Sequence, residues 1–409
     1  MRVAEISEHS CPKRPLGTGD VGGMNLYILT LSREMNKLGV YVDIFARWHD
    51  PDEPEIIQIN ERTRLIHIRA GEPKDTSKMA DYNYLPEFQA KLLEFMKKDG
   101  AKYDIIRSHY WTSALIAEQI KKELGIPDVV TFHTLGEVKN RALGVQAEPD
   151  LRIQSEKNIV ATADLIVTST PEGKRNLIKL YGSVPEKIKV IPPGVDLDFF
   201  FPHDKEKARR ELDLDSYRRV VLFAGRLQPF KGLDLLLHAM TNLPNHGTTR
   251  LLVVGGNSGD NDELGKMNAL TNELGIGNMV DFVGAVEHEK MPLYYNASDI
   301  CVVPSYHESF GLVAVEALAS GIPVLAARVG GLATIVKDGE TGYLFEERSP
   351  EALAAYLCLL MSENEIRQSM ANAARQSVMK YDWSSTALRL LTEYKELLKI
   401  PAHCGCPGL

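Results

Sequence analysis

Short apolar runs alternate with longer amphipathic stretches almost from one end of the chain to the other. The runs Arg2–Ser7, Val40–Arg47, Arg64–Arg69, Asp104–Ser108, Asp128–His133, Asp164–Thr168 and Lys187–Ile191 are rich in β-branched residues and read as strands. After an interruption the pattern resumes at Arg219–Ala224, Arg250–Val254, Met279–Val283, Asp299–Val303, Pro323–Ala326 and Gly342–Phe345. Several of these, such as Val220–Phe223 and Leu251–Val254, are apolar at every position rather than at every second one. A strand covered on both faces reads this way, which points to parallel sheets wound with helices. Met24–Leu38, Ser113–Leu124 and Leu233–Met240 carry helical spacing between the strands. The pattern predicts an α/β protein, twice over.

The interruption falls at Ile191-Pro192-Pro193-Gly194 and continues to Phe199-Phe200-Phe201-Pro202. Prolines obstruct both helix and ladder, so this stretch reads as a linker between two doubly wound units, residues 1–195 and 203–380. One large sheet with a proline-rich loop is the alternative, disfavoured by domain size. Pro350–Met379 and Trp383–Lys399 read as helices with no strand after them. The last, residues 383–400, is expected to pack back onto the N-terminal unit.

With 409 residues, 44% of them hydrophobic, the chain can fill two cores. Its 55 acidic against 47 basic residues give a net charge of −8, which argues against a nucleic-acid groove or a basic membrane face. No apolar run approaches the ~20 residues of a membrane span, and Met1–Ser10 enters a charged strand without a signal-type apolar stretch. Five scattered cysteines, at 11, 301, 358, 404 and 406, suggest a reducing compartment. The expectation is a cytoplasmic protein. The Cys404-Gly-Cys406 tail could bind metal, though two thiols alone more often mark a mobile terminus.

Three constellations could carry chemistry. Gly17-Thr18-Gly19-Asp20-Val21-Gly22-Gly23 precedes the helix near Met24 and contains G-x-G-x-x-G, with Asp43 about 20 residues on. A dinucleotide fingerprint fits poorly, because Glu8–Leu16 separates the glycines from the strand and Asp43 falls inside another strand. What survives is that glycines let backbone N–H groups approach a phosphate at a helix start; an ordinary loop reads equally well. Next, Arg226 and Lys231 in Ala224-Gly-Arg-Leu-Gln-Pro-Phe-Lys231 follow a buried strand. Two cations at the C-terminal edge of a parallel strand would stabilise a departing diphosphate, although alone they read better as surface charge. Finally, Pro304-Ser-Tyr-His-Glu308-Ser-Phe-Gly311-Leu-Val-Ala-Val-Glu316 runs from strand end into helix. Eight residues of helical rise span ~12 Å, about the reach needed to touch both ends of a sugar nucleotide. The N–H groups of Gly311, Leu312 and Val313 at the helix start suit phosphate oxygens.

On these motifs the sequence resembles the retaining GT-B glycosyltransferases, a family of two Rossmann-like domains facing across a cleft that includes sucrose-phosphate synthases and the D-inositol 3-phosphate glycosyltransferases of mycothiol synthesis. The resemblance covers nearly the whole chain and implies roles for matching residues. Glu308 would lie at the donor sugar, Glu316 at the ribose, Arg226 and Lys231 at the diphosphate, and Gly22-Gly23 in the donor-phosphate loop; the C-terminal helix would cross both domains. The N-terminal domain would bind acceptor and the C-terminal domain donor. Pro15–Ile28, Ser108-His-Tyr110-Trp and His133-Thr134-Leu-Gly-Glu-Val-Lys-Asn look like the inositol-phosphate branch. That match maps an acceptor site onto Asn25, Lys78, Tyr110, Thr134 and Arg152, a donor set a phosphomonoester requires. His133 matches the family's active-site histidine near the donor sugar, where the alternative is a satisfied loop histidine; His9 and His109 rank lower.

The implied reaction is retaining transfer of a hexose, N-acetylglucosamine or glucose, from a UDP-sugar to a small phosphorylated polyol such as 1D-myo-inositol 3-phosphate. The acceptor would attack on the face that the diphosphate leaves, and no activated Ser or Cys nucleophile is evident. Asp196-x-Asp198 and Asp213-x-Asp215 mimic a metal-binding motif but sit in the proline linker and at a charged helix end. No cofactor is expected to be essential, Mg²⁺ at most stimulating, and a homodimer stays open. The rivals are glucose transfer to fructose 6-phosphate, a phosphatidylinositol mannosyltransferase, a sugar-nucleotide 2-epimerase and a non-catalytic sugar-nucleotide sensor.

Overall fold

The computed structural model describes residues 1–14, 22–73, 78–214, 219–243, 249–256, 261–346 and 348–399; the side chains of 78–81 and 261–262 are outside the described set. The first sheet contains β1 (Arg2–Ser7), β2 (Tyr41–Arg47), β3 (Ile56–Asn60), β4 (Thr63–Ile68), β5 (Ile105–His109), β6 (Asp128–Thr131), β7 (Leu165–Thr168) and β8 (Ile188–Val190). Their order is β3-β4-β2-β1-β5-β6-β7-β8. All neighbours are parallel except β3 with β4. The second sheet, β9 (Arg219–Ala224), β10 (Thr249–Val254), β11 (Val280–Gly284), β12 (Ile300–Val303), β13 (Val324–Ala327) and β14 (Gly342–Phe345), is wholly parallel in the order β11-β10-β9-β12-β13-β14.

The continuous apolar runs occupy the sheet centres, as two-sided burial demands. Val220, Val221 and Leu222 are sealed at 0% exposure, with alternate residues serving two separate cores on opposite faces. β3 has no counterpart among the expected strands. It is a half-exposed antiparallel edge whose Ile-Ile-Gln-Ile-Asn pattern offers little contrast between faces. The stretch expected as one helix over Pro350–Met379 is two, Pro350–Ser362 and Asn364–Val378, broken where Glu363 adopts extended backbone (φ −88°, ψ 91°).

Asp43 is fully buried inside β2 and bonded to Arg2, Arg64 and Tyr103. Those partners hold its carboxylate ionised, below its usual range, against the burial that opposes it. A dinucleotide ribose therefore has no access to it.

The proline stretch is no loose tether. Ile191, Val195 and Phe200 are buried. Val195 N donates to Tyr381 O, and a β-carbon on Gly194 would stand 2.4 Å from Trp383 N. From this crossing the helix Trp383–Lys399 returns to the first sheet, where Trp383, Ala387, Leu390, Leu391 and Tyr394 join Val3, Ile28 and Leu31 in one core. Each buried leucine contributes roughly 1.5–3 kcal/mol, and Thr386 Oγ1 and Arg389 add bonds to the carbonyls of Pro192 and Val190. The chain thus closes on itself across the joint. Among the described residues no helix is long and apolar enough to cross a membrane.

Candidate active site

In a doubly wound sheet the order of strands reverses at one place, and there the loops beyond neighbouring carboxyl ends diverge to leave a crevice. Here the reversal falls between β1 and β5 in one sheet and between β9 and β12 in the other. The loops beyond all four strands contribute to one cavity of about 380 Å³, through His9, Tyr110, Arg226 and Glu308 respectively. That volume lies in the usual range for small-molecule sites.

The second-sheet wall is cationic and rich in N–H groups. Arg226 follows β9, and Gly22, from the first sheet's side, approaches it so closely that a β-carbon there would lie 3.5 Å from Arg226 Nε. Lys231 Nζ donates to Glu308 Oε2 at 2.7 Å, with both side chains about four-fifths buried. The helix Leu312–Ala319 begins after Gly311, whose φ of 112° and 2.8 Å clearance to Leu332 Cδ2 exclude a side chain. The first-turn N–H groups of Leu312 and Val313 line the cavity with no intrahelical acceptor available to them. One turn in, Glu316 is buried and accepts from Tyr295 Oη at 2.8 Å, with His288 Nε2 2.9 Å from its other oxygen. Attraction to Glu316 raises the His288 pKa even though burial works the other way.

The first-sheet wall holds a buried relay. Glu5 Oε1 lies 2.6 Å from His109 Nε2, and His109 Nδ1 lies 2.8 Å from His133 Nε2. Burial, reinforced by the Arg107 guanidinium, pushes the His109 pKa down to about 4, so its ring is neutral. The carboxylate then fixes the proton on His109 Nε2, which makes Nδ1 the acceptor and His133 Nε2–H the donor. His133 is neutral as well, its pKa far below 6.5 through burial and the neighbouring charges. Its backbone is left-handed (φ 58°), as is that of Tyr110 (φ 73°). Non-glycine residues seldom hold such angles unless their surroundings enforce them, and both of these residues face the cavity.

Behind Tyr110 stands Arg152, 1% exposed. Its Nε donates to Glu156, its Nη1 to Tyr110 Oη (2.9 Å) and Glu148 (2.8 Å), and its Nη2 to both oxygens of Thr134 (3.0 Å). All five guanidinium donors are therefore committed. Glu148 also pairs with Lys139, which lines the cavity. Those two cations hold Glu148 ionised despite its burial.

The expected residues thus fall into two groups. His133, Thr134, Tyr110, Gly22, Gly23, Arg226, Lys231, Glu308, Gly311, Leu312, Val313 and Glu316 share one cavity. Arg152 joins it through Tyr110, Thr134 and the Glu148–Lys139 pair. Asn25 is buried behind the wall and donates to Ser10 Oγ and Cys11 O at 2.8 Å. Lys78 starts the helix Lys78–Asp99 but its side chain is outside the described residues, as are residues 15–21 of the glycine cluster, Asp215 and the Cys404/Cys406 tail. Sequence reading overlooked Glu5, Lys139, Glu148, His288 and Tyr295 as residues that line or brace the cavity, and His109, ranked below His133, is fully buried behind it. These lie far apart in sequence, and only His133–Lys139 spacing within one motif hinted at any of them.

Comparison with known proteins agrees with this geometry. Residues 21–199 match the model of Glycosyltransferase Family 4, and residues 204–377 that of Glycosyl transferases group 1. A D-inositol 3-phosphate glycosyltransferase of Corynebacterium efficiens is 39% identical, over 100% of this chain and 98% of its own. A sucrose-phosphate synthase from Thermosynechococcus elongatus superposes with a TM-score of 0.91 at 31% identity, covering 97% of this chain and 99% of that one. Anabaena HepE, solved with UDP and glucose, shares the fold at a TM-score of 0.77 and 19% identity, over 97% and 100% of the two chains. The protein therefore belongs to the GT-B glycosyltransferases, in the family of the D-inositol 3-phosphate glycosyltransferases and sucrose-phosphate synthases, and it is a nucleotide-sugar glycosyltransferase.

Proposed function

We propose that the enzyme transfers a hexose, N-acetylglucosamine or glucose, from a UDP-sugar to 1D-myo-inositol 3-phosphate or a similar phosphorylated polyol, with retention at the anomeric carbon. The observation that carries this reading is that two cationic clusters, one from each sheet's side, border one cavity. One is Arg226, Lys231 and the Leu312–Ala319 helix start; the other is the Lys139–Glu148–Arg152 cluster beneath Tyr110 and Thr134. The first suits a diphosphate and the second a phosphomonoester. The name of the Corynebacterium relative supports the same acceptor.

In this reading Arg226 and Lys231 neutralise the charge that grows on the departing diphosphate, which is where fixed dipoles and cations lower a barrier. Glu316, held by Tyr295 and His288, presents acceptor oxygens to the ribose hydroxyls. Neutral His133 and Glu308 face the donor sugar. The acceptor hydroxyl attacks from the leaving-group face and gives its proton to a β-phosphate oxygen, so no protein nucleophile is needed. The first-sheet domain takes the acceptor and the second-sheet domain the donor, while Gly22 and Gly23 reach across to the phosphates. Fixed cations do the work of a metal, and Mg²⁺ at most stimulates.

Arg152, Glu148 and Lys139 refine the acceptor site. Because Arg152 has no spare donor, a phosphate must take the place of Glu148 or bind through Tyr110, Thr134 and Lys139 alone. Transfer of glucose to fructose 6-phosphate is the second reading, favoured by the 0.91 superposition on a sucrose-phosphate synthase. A matrix of UDP- and GDP-sugars against inositol 1- and 3-phosphate, fructose 6-phosphate and glycerate 3-phosphate, followed by mass spectrometry, tests both. Product with inositol 3-phosphate supports the proposal. Product with fructose 6-phosphate alone replaces it with the second reading, and donor turnover without any acceptor indicates an epimerase. EDTA treatment in the same assay tests the metal expectation.

A further inference from the structure

Away from the cavity, three potential ligand atoms from distant parts of the chain converge beneath the loop that follows β1. Cys11 Sγ lies 3.4 Å from His67 Nε2, and His67 Nε2 lies 3.3 Å from Glu53 Oε2; all three atoms fall within 4.8 Å of one another. Cys11 and His67 are 2% and 1% exposed, and Glu53 is on a half-exposed loop. We propose that these residues bind a zinc ion, with water completing a tetrahedral site.

Three observations carry this. First, the separations match. Bonds of about 2.3 Å to sulfur and about 2.0 Å to nitrogen and oxygen make S···N and N···O edges of about 3.5 and 3.3 Å in a tetrahedron. The third edge, Cys11 Sγ to Glu53 Oε2, lies within 4.8 Å and closes by movement of the half-exposed Glu53 side chain. Second, His67 is already oriented as a ligand. Its Nδ1–H donates to Pro54 O at 2.9 Å, the outer-shell bond that commonly fixes a metal-binding imidazole and leaves the Nε2 lone pair free to coordinate. Third, the site contains a buried carboxylate oxygen without a hydrogen bond among the described residues. Glu53 Oε2 is buried and has no hydrogen-bond partner, although it lies beside His67. Glu53 Oε2 and His67 Nε2 stand 3.3 Å apart, a separation that a cation held between them would bridge.

Burial, helped by the nearby Glu53 charge, pushes the Cys11 thiol up to about 11, against the backbone N–H of Lys13 and the charges of Arg14 and Lys13. Such a thiol is no nucleophile, and a bound metal would ionise it. Thiolate, imidazole and carboxylate together favour Zn²⁺ over the harder Mg²⁺ or Ca²⁺. The site would also act on the cavity, because Cys11 O accepts from Asn25 Nδ2 at 2.8 Å and Asn25 Oδ1 faces Gly22 N at 3.4 Å. A metal at Cys11 would brace Gly22 and the start of the helix Gly23–Lys37 through Asn25.

The test uses untagged full-length protein carrying Cys404→Ser and Cys406→Ser, so that the tail thiols cannot contribute. After EDTA stripping and dialysis, Zn²⁺ is titrated by calorimetry and Co²⁺ by absorption. The expected result is one equivalent of either ion, with a thiolate-to-cobalt charge-transfer band, tetrahedral d–d bands and a raised melting temperature. Cys11→Ala should abolish the band, and the near-isosteric Glu53→Gln, at a half-exposed position, should weaken binding by about 10-fold or more while leaving the fold intact. Absence of stoichiometric binding, a cobalt spectrum lacking the charge-transfer band, or undiminished affinity in Glu53→Gln would overturn the proposal. This test is independent of the acceptor and donor assignments.

Discussion

Lys231→Ala is the sharpest perturbation of the cavity. Lys231 Nζ rests 2.7 Å from Glu308 Oε2, with the two side chains 20% and 17% exposed. In so shielded a place an effective dielectric near 20 applies, and a unit charge about 4 Å from a phosphate oxygen is then worth about 4 kcal/mol. Part of that is present in the bound donor before reaction, so only the increment gained as the bond to the sugar breaks lowers the barrier. Losing one such group costs about 10²–10³ in kcat. The substitution also leaves Glu308 without its partner. The expected outcome is a fall of that size in steady-state UDP release, measured with saturating acceptor. Lys231→Ala/Glu308→Gln, measured beside Glu308→Gln alone, completes the cycle that separates the two effects. If the pair is only a structural ion pair, the double variant should turn over within about 10-fold of Glu308→Gln; if Lys231 grips the leaving group, it should stay about 10²-fold or more below Glu308→Gln. Near-parental turnover in either variant lacking Lys231 would refute the reasoning.

Three further outcomes follow from the same geometry. Glu5→Gln removes the carboxylate facing the fully buried Arg107 and the tautomer lock on His109, and it should cost about 3–5 kcal/mol in urea unfolding; an unchanged midpoint would mean that the relay is not energetically coupled. Glu148→Ala frees donors of Arg152 and Lys139 and should lower KM for the phosphorylated acceptor several-fold without changing donor KM; a raised acceptor KM would show instead that the carboxylate is needed to hold the cations. Because the folded-state pKa of His288 lies above its unfolded value through Glu316, its contribution to stability is complete below the unfolded value near 6.5 and fades as pH rises through the folded one. Melting temperature should therefore fall more steeply above neutral pH in the parent than in His288→Gln, and parallel curves would contradict the pairing.

What could be read from the residues and what could not divide along physical lines. Both central sheets were legible because strands buried on two faces must be apolar at every position, as at Val220–Phe223, and that requirement is written locally. The helix break at Glu363 and the edge strand Ile56–Asn60 escaped because half-exposed positions tolerate polar and apolar residues alike. In the cavity, Arg226, Lys231, Glu308 and Glu316 were visible because backbone geometry ties them to a strand end and a helix start a few residues away.

The sequence by itself determined the paired α/β architecture, the cationic strand end and the glycine–helix junction, all of which arise from contacts close along the chain. Only the tertiary structure decided that Glu5 orients His109 across 104 residues, that Glu148 already occupies Arg152, and that Cys11, Glu53 and His67 meet at one point. Those arrangements depend on which strands lie side by side, and parallel neighbours are brought together by crossover helices rather than by any local spacing of residue types.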